Sequence, residues 1–283
     1  MRFASVRQDG RETWGALIGA AGFADLGARP GAAPTLRAAI EQGTLPDVLP
    51  DGWSPDCSVE DVEFLPVIGD PPQIFCVGLN YEKHRVETQR DVVEHPTIFV
   101  RLASSQQGHR GPLVKPAESS RFDYEGELAV VIGRGGRRIA ADDVADHIAG
   151  YACYNDGSAR DWQNHTSQWT PGKNFPATGA FGPYLVTPDE IEDLGAASLV
   201  TRVNGEERQR ATIAQMTFPI PEIVAYLSTF TTLLPGAVIC TGTPGGVGSR
   251  REPPTFLHDG DVVEVEIDGV GLLSNTVVAE TLD

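Results

Sequence analysis

The chain has 283 residues, 41% of them hydrophobic and 22% charged, and its 39 acidic against 22 basic residues give a formal net charge of −17. That length builds one large domain, or a large one with a small one, and the composition is that of an ordinary soluble globular protein. The acid excess and the lack of any basic tract exclude a nucleic-acid binder, and an acidic surface disfavours anionic membranes. No apolar run reaches the length of a membrane span, and Met1–Val6 lacks the apolar stretch of a secretory leader. Cys57, Cys76, Cys153 and Cys240 form no CxxC pair and no zinc spacing, and three of them lie in apolar runs where a reduced, buried thiol is expected. These features point to the cytoplasm.

In chain order, residues 1–70 read as a small N-terminal domain. Strand patterns cover Arg2–Val6 and Trp14–Ile18. A helix is expected around Thr35–Gln42, with Pro34 before it and Gly43 after it. A turn-rich passage, Pro46–Pro55, leads to a short strand at Val62–Val67. Residues 71–283 read as a catalytic domain. Its expected strands are Ile74–Val77, Thr97–Leu102, a run ending at Ile132, Ile148–Tyr154, Phe181–Val186, Ala237–Cys240, Val262–Ile267 and Gly271–Val278. Asn204-Gly205 between Leu199–Val203 and Glu206–Gln209 is a two-residue hairpin signal. Helices are expected to be short and scattered: Tyr81–Arg90, Ala140–Ala145, Ser158–His165 and Pro221–Phe230. Strands dominate without regular strand–helix alternation, so the fold class is α+β and β-rich rather than doubly wound.

Several constellations carry chemistry. In Asp123–Gly133, Leu128, Val130 and Ile132 alternate with Ala129 and Val131, as in a buried strand, and Glu125 and Glu127 stand two apart at its front on one face. Two carboxylates beside an apolar run call for a positive partner, and a divalent cation with its preference for oxygen ligands supplies one. A strand end emerging into solvent would show the same pair. Asp156 closes the apolar strand before it and could be a third oxygen ligand, in which case magnesium or manganese suits the set better than zinc, or it could cap the following helical turn. His84 and Glu87, three apart on a helix, could form a base whose imidazole is oriented by a carboxylate, or a solvated surface pair. Lys173 follows Gly172 in a loop, where lysine is commonly exposed, but turned inward it would support an oxyanion. The glycine-rich turns Gly133–Gly136 and Thr241–Gly248 lack the spacing of a dinucleotide fingerprint or a P-loop, although backbone amides and Thr243 in the second could hold an anion.

Taken together and in register, these segments resemble the fumarylacetoacetate hydrolase family. The match runs through Gly78-Leu79-Asn80-Tyr81 with His84 and Glu87, Asp123–Gly133, Asn155–Gln163, Gly172-Lys173, Asn204-Gly205, Thr241–Gly248 and Gly260–Ile267, roughly the last three quarters of the chain. The resemblance implies a mixed β-roll fold, a homodimer, and Mg²⁺ or Mn²⁺ held by Glu125, Glu127 and Asp156. It implies that His84 and Glu87, on a segment that often closes as a lid, activate water, that Lys173 stabilises an oxyanion, and that Gln163 and Thr243 lie near a small 2-oxo acid. Where relatives carry Lys-Pro the chain has Arg101, a departure expected at the substrate end, as are Phe175-Pro176 and the stretch Trp162–Trp169. The activity expected is hydrolysis of a C–C bond in an acylpyruvate-type 2-oxo acid within aromatic catabolism. The alternative is a decarboxylase, isomerase or tautomerase of a 2-oxo acid such as oxaloacetate or 2-hydroxyhepta-2,4-diene-1,7-dioate. A non-catalytic 2-oxo-acid binder is a third option, disfavoured by the intact His84, Glu87 and Lys173.

Overall fold

A computed structural model describes residues 1–50 and 52–282; Asp51, within the expected turn-rich passage, and Asp283, at the end of the expected catalytic domain, lie outside the described residues. The fold is β-rich α+β. One 12-stranded sheet runs in the order Cys57–Ser58, Gly22–Asp25, Arg11–Ile18, Arg2–Gln8, Gly179–Val186, Ile148–Asn155, Gly126–Ile132, Val238–Cys240, Ile74–Gly78, Thr97–Val100, with Glu63–Phe64 and Gln106–Gln107 attached at the side. A five-stranded sheet, Glu206–Thr212, Ser198–Val203, Val262–Ile267, Gly271–Ala279 and Leu113–Lys115, packs against it.

The strand Gly126–Ile132 lies between Ile148–Asn155 and Val238–Cys240, antiparallel to both, and every residue of it is buried. Its alternation sorts the side chains into two cores. Leu128, Val130 and Ile132 join Leu199, Val265 and Leu273 of the second sheet. Ala129 and Val131 face the other way, onto Phe3, Trp14 and Leu36 of the N-terminal segment. A strand covered on both faces cannot show polar alternation, which is why it reads as a continuous apolar run.

That packing also bears on the boundary drawn at residue 70. The N-terminal segment has a small cluster of its own, Ala4, Val6, Phe23, Val59 and Phe64. Yet Arg2–Gln8 pairs with Gly179–Val186, so residue 70 is not a break in the sheet. The expected helix there is Leu36–Gln42, its start fixed by Thr35, whose hydroxyl accepts from the Ala38 amide, and its end by Gly43 in the left-handed region. The hairpin at Asn204-Gly205 forms with both residues at positive φ, 53° and 76°, as a type I′ turn requires. The expected helix Ser158–His165 begins later. Ser158-Ala159 instead pairs with Phe122-Asp123, and the helical turn is Arg160–Gln163.

Candidate active site

The acidic site arises where two antiparallel ladders meet. Phe122-Asp123 pairs with Ser158-Ala159, and Gly126–Ile132 pairs with Ile148–Asn155 in the same register. The continuous register sets Glu125 opposite Asp156, and the Asp156 amide donates to the Glu125 carbonyl at 2.8 Å. Gly126 permits the close passage of the strand, because a Cβ there would meet Thr201 Oγ1 at 2.0 Å. Glu125, Glu127 and Asp156 each offer a carboxylate oxygen within 4.8 Å of the others, and none is more than 5% exposed.

Three buried cations answer these carboxylates. Arg160 gives Nη1 to Glu125 Oε1 at 2.6 Å and Nε to Asp123 Oδ2 at 2.9 Å. Lys173 Nζ bridges Glu125 Oε2 at 2.7 Å and Asp156 Oδ2 at 2.5 Å. Arg101 Nη1 pairs with Asp156 Oδ1. Counting Asp123, four carboxylates face three cations, and the one left without an ion pair among the described residues is Glu127, whose Oε2 accepts only the Gly242 amide at 2.9 Å. The titration follows this arrangement. Burial pushes Glu125 up, but Arg160 and Lys173 outweigh it and hold that carboxyl well below the usual range. Burial, then the neighbouring Asp156, raise Glu127 well above it. Burial lowers Lys173, but Asp156 and Glu125 outweigh it and keep the ammonium charged. A hard-oxygen triad with one uncompensated carboxylate fits a divalent cation.

His84, the candidate base, stands on the helix Glu82–Glu87. His84 Nδ1 donates to Glu87 Oε1 at 2.7 Å, so its Nε2 lone pair is the free one, and His84 lines the cleft above the triad. Glu87 is anchored in turn, because its Oε2 accepts the Gly246 amide at 2.8 Å. The Thr241–Gly248 turn therefore holds both carboxylates through its backbone, Glu127 at Gly242 and Glu87 at Gly246. Beneath it, the buried Asn80 side chain donates to the Thr241 and Phe218 carbonyls and accepts from the Phe218 amide.

His84, Glu125, Glu127, Arg160 and Lys173 line a cleft of ≈ 350 Å³ whose wall also includes Gln163, Thr243, Phe99, Trp169, Arg121 and Arg250. A family profile described as fumarylacetoacetate (FAA) hydrolase C-terminal matches residues 73–278. The chain belongs to the fumarylacetoacetate hydrolase family. Within that family it is 44% identical to the mitochondrial oxaloacetate tautomerase fahd2 of Xenopus laevis over 223 residues, 78% of this chain and 70% of that protein. It is 42% identical to the oxaloacetate tautomerase YisK of Bacillus subtilis over 225 residues, 78% of this chain and 74% of the relative. A solved fumarylacetoacetate hydrolase from Exiguobacterium antarcticum superposes with a TM-score of 0.87 at 34% identity, covering 99% of this chain and 100% of its own.

The family site brings together most of the residues that the sequence singles out, with differences. Thr243 reaches the cleft, but its hydroxyl proton goes to the Gly126 carbonyl and its oxygen accepts from Gln209, so it braces the strand. Gln163 reaches the cleft with Oε1 accepting from Arg160 at 2.9 Å. Arg101, expected at the substrate, is corrected. It is 3% exposed and absent from the cleft wall, its guanidinium spent on Asp156, Ser105, Thr178 and the Gly157 carbonyl behind the triad. Arg160 carries no role in the sequence reading, yet it lines the cleft with a buried Nη2 that has no partner among the described residues. Its position in Asn155–Gln163, four residues after the third acid, is the signal that could have found it.

Proposed function

We propose that the protein is a divalent-metal-dependent tautomerase that interconverts the keto and enol forms of oxaloacetate, so that the alternative displaces the C–C hydrolase expected first. Identities of 42–44% to proteins named oxaloacetate tautomerases carry this reading. The site is compatible with it: two of the three Lys173 N–H donors are committed to Glu125 and Asp156, and a tetrahedral oxyanion would make demands on the third. Enolisation needs less: one base that removes a proton from carbon and returns it to oxygen.

Glu125, Glu127 and Asp156 would hold Mg²⁺ or Mn²⁺, whose chemistry there is Lewis-acid polarisation of the 2-oxo group. His84 Nε2 takes the proton from C3. The C–H electrons form the C2–C3 double bond, and the proton returns to the 2-oxo oxygen. Glu87 fixes the imidazole tautomer and stabilises the transient imidazolium. Lys173 and Arg160 add positive field at the floor, and Trp169, edge-on to Phe99 at 5.4 Å, narrows the access of water.

The test follows the ultraviolet absorbance of the enol as it relaxes to the keto form. The wild type is expected to accelerate the relaxation, and His84→Asn to cut kcat by about 10²–10³ with Mn²⁺ affinity retained. A wild type that leaves tautomerisation at the buffer rate, or that cleaves fumarylpyruvate with comparable efficiency, ends the proposal.

A further inference from the structure

We propose that Arg121 and Arg250 form a distal carboxylate subsite at the mouth of the cleft, selecting short 2-oxo dicarboxylates over 2-oxo monocarboxylates. This rests on reading the floor of the cleft as a 2-oxo-acid site.

Both arginines line the same cleft as Glu125 and Glu127. Their depths differ, since Glu125 and Glu127 are at most 5% exposed while Arg121 and Arg250 are exposed. The two carboxylates are therefore the floor and the arginines are the mouth. The two come from distant parts of the chain and are brought to one cleft by hydrogen bonds to Phe122 and Asp123. The Leu257 amide donates to the Phe122 carbonyl at 2.7 Å, and the Gly248 and Ser249 amides donate to Asp123 Oδ1 and Oδ2 at 2.8 and 2.9 Å. Asp123 thereby fixes the 247–257 loop beside residue 121. Arg160, in the floor, is held by Asp123 and Glu125, and Arg251, next in chain to Arg250, reaches Glu206 at 4.0 Å. Arg121 and Arg250 make no ion pair or side-chain hydrogen bond among the described residues. In a chain of net charge −17, unpaired guanidinium groups on one cleft wall form a local positive field against the overall one. Guanidinium is also the group that binds carboxylate in two-point fashion.

Oxaloacetate and pyruvate share the 2-oxo-acid head and differ by the distal carboxylate, so they isolate this subsite. Titration calorimetry with Mn²⁺ held constant compares the two ligands on wild type, Arg121→Gln and Arg250→Gln. Each substitution is expected to weaken oxaloacetate by about fivefold to tenfold and to leave pyruvate within about twofold. Rising salt is expected to narrow the wild-type preference for oxaloacetate, a readout that a mere packing role would not move. Equal weakening of both ligands, no weakening of oxaloacetate, or a wild type that does not distinguish them overturns the subsite. A wild type that prefers oxaloacetate through these arginines yet does not tautomerise it upholds the subsite and removes only the tautomerase reading.

Discussion

Among single residues, Glu127 differs most from what its motif suggests. It and Glu125 are two apart and equally acidic in the sequence, yet Arg160 and Lys173 hold Glu125 low while burial and Asp156 drive Glu127 high. A carboxyl whose folded pKa lies above its unfolded value of about 4.3 takes up a proton more readily in the folded state. Its contribution is therefore fully present below that value and is lost as pH rises through the folded pKa, so in metal-free protein its ionisation costs stability. Glu127→Gln is expected to match or exceed the wild-type melting temperature in EDTA at pH 7, while weakening Mn²⁺ by about a hundredfold. Thermal melts and metal titrations read both, and a variant with unchanged Mn²⁺ affinity would remove Glu127 from the ligand set. Spacing within one segment made Glu125 with Glu127 and His84 with Glu87 legible in the sequence, since such pairs face each other by local geometry alone. The partners of Lys173 and the burial of Arg101 were not legible, because both depend on which strands meet at Asp156.

At the scale of elements, the Thr241–Gly248 turn links the acidic floor to the His84–Glu87 pair. Its sequence offered backbone amides that could hold an anion. The amides are there, but they hold protein carboxylates: Gly242, at φ 101°, serves Glu127, and Gly246, at φ 109°, serves Glu87. A Cβ at Gly242 would meet Asn80 Cβ at 2.7 Å, and one at Gly246 would meet the Arg208 carbonyl at 2.2 Å. Either alanine is expected to cost about 1–3 kcal/mol in backbone strain. Their functional effects should separate. Gly242→Ala is expected to weaken Mn²⁺ binding, whereas Gly246→Ala should lower kcat by about tenfold or more with Mn²⁺ affinity kept, because it frees Glu87 and with it the His84 tautomer. Identical effects of the two on metal affinity and kcat would mean that the turn acts as one rigid piece. The strands around this turn were readable because alternation and apolar runs are local signals. The junction of residues 1–70 with the central sheet was not, since pairing of Arg2–Gln8 with Gly179–Val186 spans most of the chain.

Across the whole molecule, the two sheets meet at a seam that holds a histidine with no part in the site. His109 stacks edge-on to Phe64 at 5.1 Å, lies against Gly182 of the large sheet, and accepts the Ser274 amide of the second sheet at Nδ1, 3.1 Å away. Burial, then the adjacent Arg110, lower its pKa to about 4, with Glu60 opposing weakly. The unfolded chain takes up this proton near the ordinary pKa of about 6.5, whereas the folded protein resists until about pH 4. Stability from the neutral imidazole is thus complete above pH ~6.5 and drains away as pH falls toward the folded pKa. His109 is partly exposed, so the loss expected from it is about 1–2 kcal/mol rather than the full shift. His109→Gln removes the titrating group while keeping an acceptor. Urea midpoints measured at steps from pH 7 to pH 4 should show wild type ahead at pH 7 and the gap to the variant closing through that window. Carboxylates elsewhere lose stability over the same range in both proteins and cancel in the difference. A gap that stays constant with pH would mean that the seam is held by packing alone and that His109 does not sense acid.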